Sequence, residues 1–253
     1  MILVISNIAN EAAETLVDKF PPGAASLITA SNFNQSFKGG ICVSDFMSSH
    51  ITVNNTKILA GDITGLITTI PYFFSQEFYY IQPADRNYVC AEMNAFFTYF
   101  LTDLRCKKMN PPSVRSFTGL SMFKTEWINM ALKLNIPVWP VKLSNSVHAS
   151  TEIVEGITGF KCTVIAGTII GGKPPAVLCS YMHALQKALL MPYLQCYFIK
   201  TTNDDYYLAD LSTVPDISNT LNREAIADYF TKNNAYDPVM GPDGRHAYEY
   251  GTR

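Results

Sequence analysis

Residues 82–140 contain the longest helical pattern of the chain and decide its architecture. They read QPADRNYVCAEMNAFFTYFLTDL (82–104), RCKKMNPPSVRSFTGLSM (105–122) and FKTEWINMALKLNIPVWP (123–140). Apolar side chains recur at helical spacing in the first and third pieces, which predicts two amphipathic helices. A short buried strand ending in Asn-Pro separates them, and an Asn-Ile-Pro-Val exit follows the second helix.

The segments before residue 82 alternate between strand and helix patterns, which predicts an α/β lobe. Met1–Ser6 is a continuous apolar run of the kind found in central parallel strands, and Glu11–Phe20 has a helical pattern. Further strands are expected near Ala25–Thr29, Gly40–Val43 and Gly65–Ile70. Asn54-Asn55 lies between two short apolar strands and predicts a hairpin.

The second half predicts a mainly antiparallel sheet with two helices. Its expected elements are a hairpin of Phe160–Ala166 and Thr168–Ile170, a helix over Ala176–Leu190, strands Tyr193–Lys200 and Tyr206–Leu211, and a helix over Arg223–Lys232. We therefore divide the chain into an N-terminal α/β lobe (1–142) with two long helices, a linker (143–159), a C-terminal core sheet (160–232) and an irregular tail (233–253).

Composition excludes several classes of protein. The 253 residues are 48% hydrophobic and 16% charged, as in a globular protein. A net charge of −2 gives no electrostatic basis for binding nucleic acid. No apolar run is long enough to span a membrane, and the N-terminus lacks the features of a signal peptide, so a cytoplasmic protein is expected. The six cysteines are scattered singly and predict reduced core thiols. A homo-oligomer remains open.

The succession helix, Asn-Pro strand, loop, lysine, helix and Ile-Pro-Val-Trp-Pro resembles the entry to the ATP-grasp ligases. Phe160–Gly167 and DYYLADLSTVPDIS (205–218) are similar to the closing strands of that family. The group most similar in pattern acts on ribosomally made peptides and on protein termini. The resemblance covers most of residues 60–230 and implies an ATP-grasp-like architecture of two lobes.

Departures from the family pattern imply that the nucleotide-clamping subdomain is missing. In the family a lysine-bearing sheet and a glycine-rich loop lie between the exit and the closing strands, whereas Pro140 and Phe160 here are about twenty positions apart. Gly171-Gly172-Lys173 is too short to cradle phosphates and is better explained as a hairpin turn. Lys124 stands where the family places its first phosphate-contacting lysine. A solvated lysine without a facing groove is the expectation for it.

The metal positions of the family also depart from the pattern. Magnesium in these enzymes takes oxygen ligands, usually Glu and Asn on the last strand. Alignment on the shared Pro-Asp puts Ala209 and Leu211 at those positions. Asp210 is a weak metal candidate, because alternation along a strand points it to the opposite face.

The resemblance and its departures together predict a catalytically degenerate protein that binds a peptide or protein partner, as an accessory module in a peptide-modification pathway. No cofactor is expected. Exposed tyrosines are typical of interfaces, and the candidate partner-binding residues are Tyr72, Tyr79, Tyr80, Tyr206 and Tyr207.

Two alternatives remain open. One is an ATP-dependent carboxylate–amine ligase that uses magnesium and ATP at a site rebuilt from the phosphate-binding candidates Lys124, Lys142 and Lys161, with Asp210 as metal ligand. The other is an enzyme of a different class with His148 or His183 as acid or base.

Overall fold

A parallel sheet forms the centre of the first lobe in the computed structural model, which describes residues 1–7, 10–33, 38–53, 55–140 and 158–232. The fully apolar run after Met1 becomes the central strand, paired on both sides in parallel. The elements of this lobe that surround the sheet are β1 (Ile2–Ile5), α1 (Glu11–Val17), β2 (Ala25–Ile28), β6 (Gly65–Thr68), α2 (Arg86–Asp103) and β7 (Lys107–Lys108). The strand order is β2-β1-β6-β7.

A second, three-stranded antiparallel sheet belongs to the same lobe. It consists of β3 (Lys38–Gly40), β4 (His50–Val53) and β5 (Thr56–Leu59), in that order. The predicted hairpin is confirmed, whereas the predicted strand Gly40–Val43 is wrong in position: pairing with β4 ends at Gly40, and Val43 is almost fully exposed. An aromatic cluster that includes Phe33, Phe73 and Phe97 joins this sheet to α2.

The two lysines of β7 each cap the end of a different helix. Lys107 Nζ donates to the backbone oxygen of Tyr229 near the end of α5 (Thr220–Thr231), and Lys108 Nζ donates to Thr102 O at the end of α2, at 2.8 Å. For Lys107 the positive charge beside unpaired C-terminal carbonyls is itself stabilising, whereas Lys108 is buried and caps its helix through the hydrogen bond. Successive side chains of a strand point to opposite faces, so two residues can serve both helices.

The second lobe contains a four-stranded antiparallel sheet and two helices. The elements are α3 (Lys124–Lys133), β8 (Thr158–Ile165), β9 (Thr168–Ile170), α4 (Ala176–Leu189), β10 (Tyr193–Lys200) and β11 (Tyr206–Ser212). The strand order is β11-β10-β8-β9. Both helices share one apolar cluster with this sheet; its buried members include Trp127 of α3, Met182 of α4 and Cys196 of the sheet. Thr158 and Gly159, predicted to end the linker, instead begin β8.

Helix α5 follows the C-terminal sheet in sequence and packs against both this sheet and the first lobe. Its buried Ile226 and Tyr229 share an apolar cluster with Val4 of β1 and Leu16 of α1, and with Ile165 of β8. The division of the chain into domains stays a prediction, and the predicted tail and most of the predicted linker lie outside the described residues.

Two further sequence predictions can be compared with the structure. All six cysteines are free, and four of them are buried. Within the described part of the chain, none of the helices has both the length and the hydropathy that a membrane span requires.

Candidate functional site

A groove of about 400 Å³ lies beside α3. One wall is the outer surface of this helix and the other is the segment that follows it. Its lining residues are Lys124, Thr125, Ile128, Asn129, Val138, Trp139 and Pro140.

Residues 137–139 form the second wall because they pair with the edge of the C-terminal sheet. Leu208 N donates to Pro137 O and Trp139 N donates to Leu208 O, both at 2.8 Å, which makes a parallel bridge between Val138 and Leu208. The Trp139 ring meets the Tyr207 ring edge-on, with centroids 5.8 Å apart. The chain is thereby fixed as a short additional edge strand.

Lys124 lies at the first position of α3 and lines this groove. The expectation that it has no facing groove is wrong, because the sequence does not show that residues 137–139 return beside the helix. The Lys124 ammonium forms no hydrogen bond or ion pair with the residues that the structure describes.

The start of α3 already carries its own anion. The Glu126 carboxylate accepts from Phe123 N at 2.7 Å and pairs with Arg115 at 3.1 Å. The bond from the Phe123 backbone, and then Arg115, lower the pKa of this carboxyl. A carboxylate at a helix N-terminus satisfies the positive end of the helix dipole, so Lys124 gains little help there in holding a phosphate.

Lys161, Tyr197 and Asp210 form one row across β8, β10 and β11, with their side chains on the same face. All three are exposed, and this face is opposite to the one that Cys162, Cys196 and Leu211 turn to the apolar core. Lys124 belongs to α3, which packs on the core face. The structure therefore places Lys161 and Asp210 together and Lys124 on the other side of the sheet.

The Lys161 ammonium is bound to a carboxylate. It donates to Asp216 Oδ2 at 2.6 Å, and Ser218 Oγ donates to the other oxygen of that carboxylate. Partial burial raises the pKa of Asp216, but the bonds from Lys161 and Ser218 outweigh this effect and lower the pKa overall. Asp216 thus offsets the charge of this phosphate-binding candidate.

The positions aligned with metal ligands are unsuitable for a cation. A β-bulge near Ala209 shifts the register, so that Asp210 opposes Tyr197, and Leu211 packs against the apolar cluster. Asp210 lies on the open face, opposite to Leu211, in agreement with the alternation predicted from the sequence. Among the described residues there is no cluster of three or more His, Cys, Asp or Glu side chains that could hold a metal.

The five candidate tyrosines do not form one surface. Tyr72 and Tyr79 are exposed, by 46% and 62%. Tyr206 and Tyr207 are half-buried and line a second cavity of about 280 Å³, at the β10–β11 turn, together with Asp204 and Asp205.

Tyr80 is a structural residue of the first lobe. Its hydroxyl lies within hydrogen-bonding distance of Ala30 O and Phe33 O, at 2.9 and 2.8 Å. Burial, with a smaller effect of Tyr79, raises the pKa of Tyr80 to about 12. Its role in partner binding stays a prediction, and its hydroxyl is already used inside the lobe.

His183 is exposed on α4 with its Nε2 2.9 Å from Gly167 O, so the imidazole holds the β8–β9 turn. Gln186 Oε1 accepts from Gly167 N beside it. Nothing in this arrangement supplies a nucleophile. Lys142 and His148 lie outside the described residues.

The sequence prediction missed Val138 and Trp139 as wall residues of the groove. A signal was available, because prolines at 137 and 140 flank this apolar pair. Within sheets, proline is confined to edge strands and strand ends, so the pattern indicates an edge.

Comparison with known proteins shows an ATP-grasp-like fold. No family model and no curated protein sequence matches the chain. Among solved structures, the macrocyclase MdnC of Microcystis aeruginosa bound with precursor peptide MdnA is 11% identical, with a TM-score of 0.69 over 90% of this chain and 98% of that chain.

Two other structures extend the comparison. A RiPP-associated ATP-grasp ligase of Chryseobacterium gregarium, in complex with ADP and a leader and core peptide, is also 11% identical, with a TM-score of 0.69 over 90% of this chain and 96% of that one. D-alanyl-alanine synthetase A of Vibrio cholerae is 10% identical, with a TM-score of 0.55 over 91% and 97%. At such identities the likeness establishes the fold, and it confirms the predicted ATP-grasp-like α/β architecture. The predicted loss of the clamping subdomain concerns residues that are mostly outside the described part of the chain.

Proposed function

We propose that this protein binds a peptide and serves as an accessory module in peptide modification, without binding ATP itself. The peptide is suggested by the folds it is similar to: MdnC is described with a precursor peptide and the Chryseobacterium ligase with a leader and core peptide. The same fold can carry many activities, so whether this chain binds a nucleotide depends on its own residues.

The observation that carries the proposal is the separation of the candidate phosphate and metal groups. Lys161 and Asp210 point from one face of the C-terminal sheet, whereas Lys124 is on the helix that covers the other face. Lys161 is further neutralised by Asp216. A triphosphate with magnesium needs several cations and oxygen ligands that converge on one place. Lys124, Lys161 and Asp210 do not provide this convergence.

Isothermal titration of the full chain with magnesium and ATP tests the proposal, with thermal unfolding as a second readout. We expect no binding heat and no rise in Tm, because only a ligand of the native state stabilises it. Lys161→Ala is the matched variant and should behave like the wild type. Micromolar binding at one site per chain would contradict the proposal.

A ligase is the second candidate function, and one observation favours it: Asp210, Tyr197 and Lys161 form a row of exposed polar groups on an open sheet face. If this face holds magnesium–ATP, the titration gives one site per chain, and both Lys161→Ala and Asp210→Asn weaken it.

A further inference from the structure

The segment opposite α3 has a free strand edge. In the parallel bridge, Leu208 bonds with the residues on either side of Val138, so the N–H and C=O of Val138 point away from the sheet. Within the described part of the chain neither group has a hydrogen-bond partner. Val138 lines the groove, so its backbone N–H and C=O are available to a ligand bound there.

The groove has the chemistry of a site for an extended peptide. Val138 and Trp139 supply apolar surface on one wall. On the α3 wall, Ile128 is apolar and the exposed side chains of Thr125 and Asn129 are polar. An extended peptide that pairs with a strand edge gains affinity from main-chain hydrogen bonds and specificity from pockets for alternate side chains.

The positive charge of Lys124 at one end of the groove favours peptides that carry a negative charge. Lys124 is the lining residue with a full charge, and its ammonium has no partner among the described residues. A single carboxylate complements it. A phosphate group would require more positive charge than one lysine provides at a helix start that Glu126 already neutralises.

We propose that the groove binds an extended peptide segment that pairs with Val138 as an added strand and places the carboxylate of an acidic side chain at Lys124. This inference rests on the proposed peptide-binding function and gives it a site and a mode of recognition.

The first experiment selects ligands without assuming their sequence. The full-length protein is immobilised and used to select from a phage-displayed library of random octapeptides fused through their C-termini. The most enriched peptide is then synthesised with a fluorescent label and titrated by fluorescence polarisation. We expect enriched peptides to alternate apolar and polar residues and to carry Asp or Glu near one end.

The second experiment tests pairing with the strand edge on the peptide itself. Single N-methyl groups are placed at successive amides of the selected peptide. An added strand turns every second N–H toward its partner, so methylation should weaken binding tenfold or more at alternate positions and much less between them. Equal losses along the peptide, or losses with helical spacing, would overturn the added-strand mode.

The third experiment tests the charge with two variants of the same helix. Lys124→Glu should weaken the selected peptide at least tenfold, about 1.4 kcal/mol, and replacing the peptide's acidic residue by Lys should partly restore binding to that variant. Lys133→Glu makes the same charge change at the exposed far end of α3 and should leave binding within twofold. Thermal unfolding confirms that both variants are folded.

The outcomes separate this inference from the function on which it rests. Enriched peptides that bind all variants equally overturn the groove assignment and leave peptide binding intact. A library that yields no peptide overturns both. A dimer that forms at micromolar protein and is abolished by Lys124→Glu assigns the groove to a second copy of the chain and also overturns the peptide proposal.

Discussion

The side-chain amide of Asn110 exchanges two hydrogen bonds with the backbone of Tyr193: Oδ1 accepts from Tyr193 N at 2.9 Å, and Nδ2 donates to Tyr193 O at 3.1 Å. The same Nδ2 lies 2.7 Å from Thr213 O. One buried amide that follows the last strand of the first lobe is therefore joined to the first residue of β10 and to the residue after β11.

We expect Asn110→Ala to destabilise the protein by about 3 kcal/mol, because it leaves the buried N–H and C=O of Tyr193 without this partner. Urea unfolding followed by circular dichroism measures the change. The control is Asn129→Ala, at an exposed position of α3. Its free energy of unfolding should stay within about 0.5 kcal/mol of the wild type. An equal, small effect of both substitutions would show that Asn110 does not hold the lobes together.

Lys108 should make stability rise with pH. Burial lowers its pKa from 10.5 to about 8, although Cys106 and Asp103 oppose this. A group whose folded pKa is depressed contributes most above its unfolded pKa, and the contribution is lost as pH falls through the folded pKa. Relative to Lys108→Met, the wild type should therefore gain stability from pH 8 to 10.5, by roughly 3 kcal/mol at most. Urea midpoints measured across this range test it.

Lys108→Arg provides the comparison, because arginine stays charged throughout the range. The Lys108→Arg variant should be less stable than the wild type at both pH values, and the difference in stability should be larger at pH 10 than at pH 7. Parallel pH profiles for the wild type and both variants would contradict the role assigned to burial of the Lys108 amine.

Substitution of Tyr80 and of its neighbour Tyr79 by Phe should have very different effects on stability. Tyr80→Phe removes the bonding to Ala30 O and Phe33 O and should cost about 1–2 kcal/mol at pH 8. Because burial raises the folded pKa to about 12, this contribution is present below pH 10 and is lost as the pH rises toward 12. Denaturant unfolding at pH 8 and pH 11 measures both effects.

Tyr79→Phe is the matched control, because Tyr79 is 62% exposed. It should change stability by less than about 0.5 kcal/mol. If Tyr80→Phe left stability equally unchanged and instead weakened peptide binding, the result would contradict a structural role and support Tyr80 as a partner-binding residue.

Local periodicity was sufficient to predict most helices and strands. The pattern from Val89 to Leu104 predicted α2, and Gly167 between two apolar runs predicted the β8–β9 hairpin. These elements are determined by residues close in sequence, so a single chain carries enough information for them.

The candidate site depends on pairings between residues distant in sequence. The free edge of Val138 exists because Leu208, seventy positions later, pairs with its neighbours. The residue that lies opposite Asp210 on the neighbouring strand depends on a bulge that one strand acquires against another. Neither is visible in local periodicity, and the exposure of Lys124 to a groove follows from the same distant pairing.

Helix α5 has a consequence for the order of events on the ribosome. The apolar faces of β1 and α1 are among the first parts of the chain to be synthesised, yet some of the side chains that cover them belong to residues 226–229. Throughout most of translation Val4 and Leu16 therefore lack some of the side chains that bury them in the folded protein. Nascent chains stalled before residue 220 should be markedly more sensitive to protease in the first lobe than chains stalled well after residue 232, once α5 has cleared the exit tunnel.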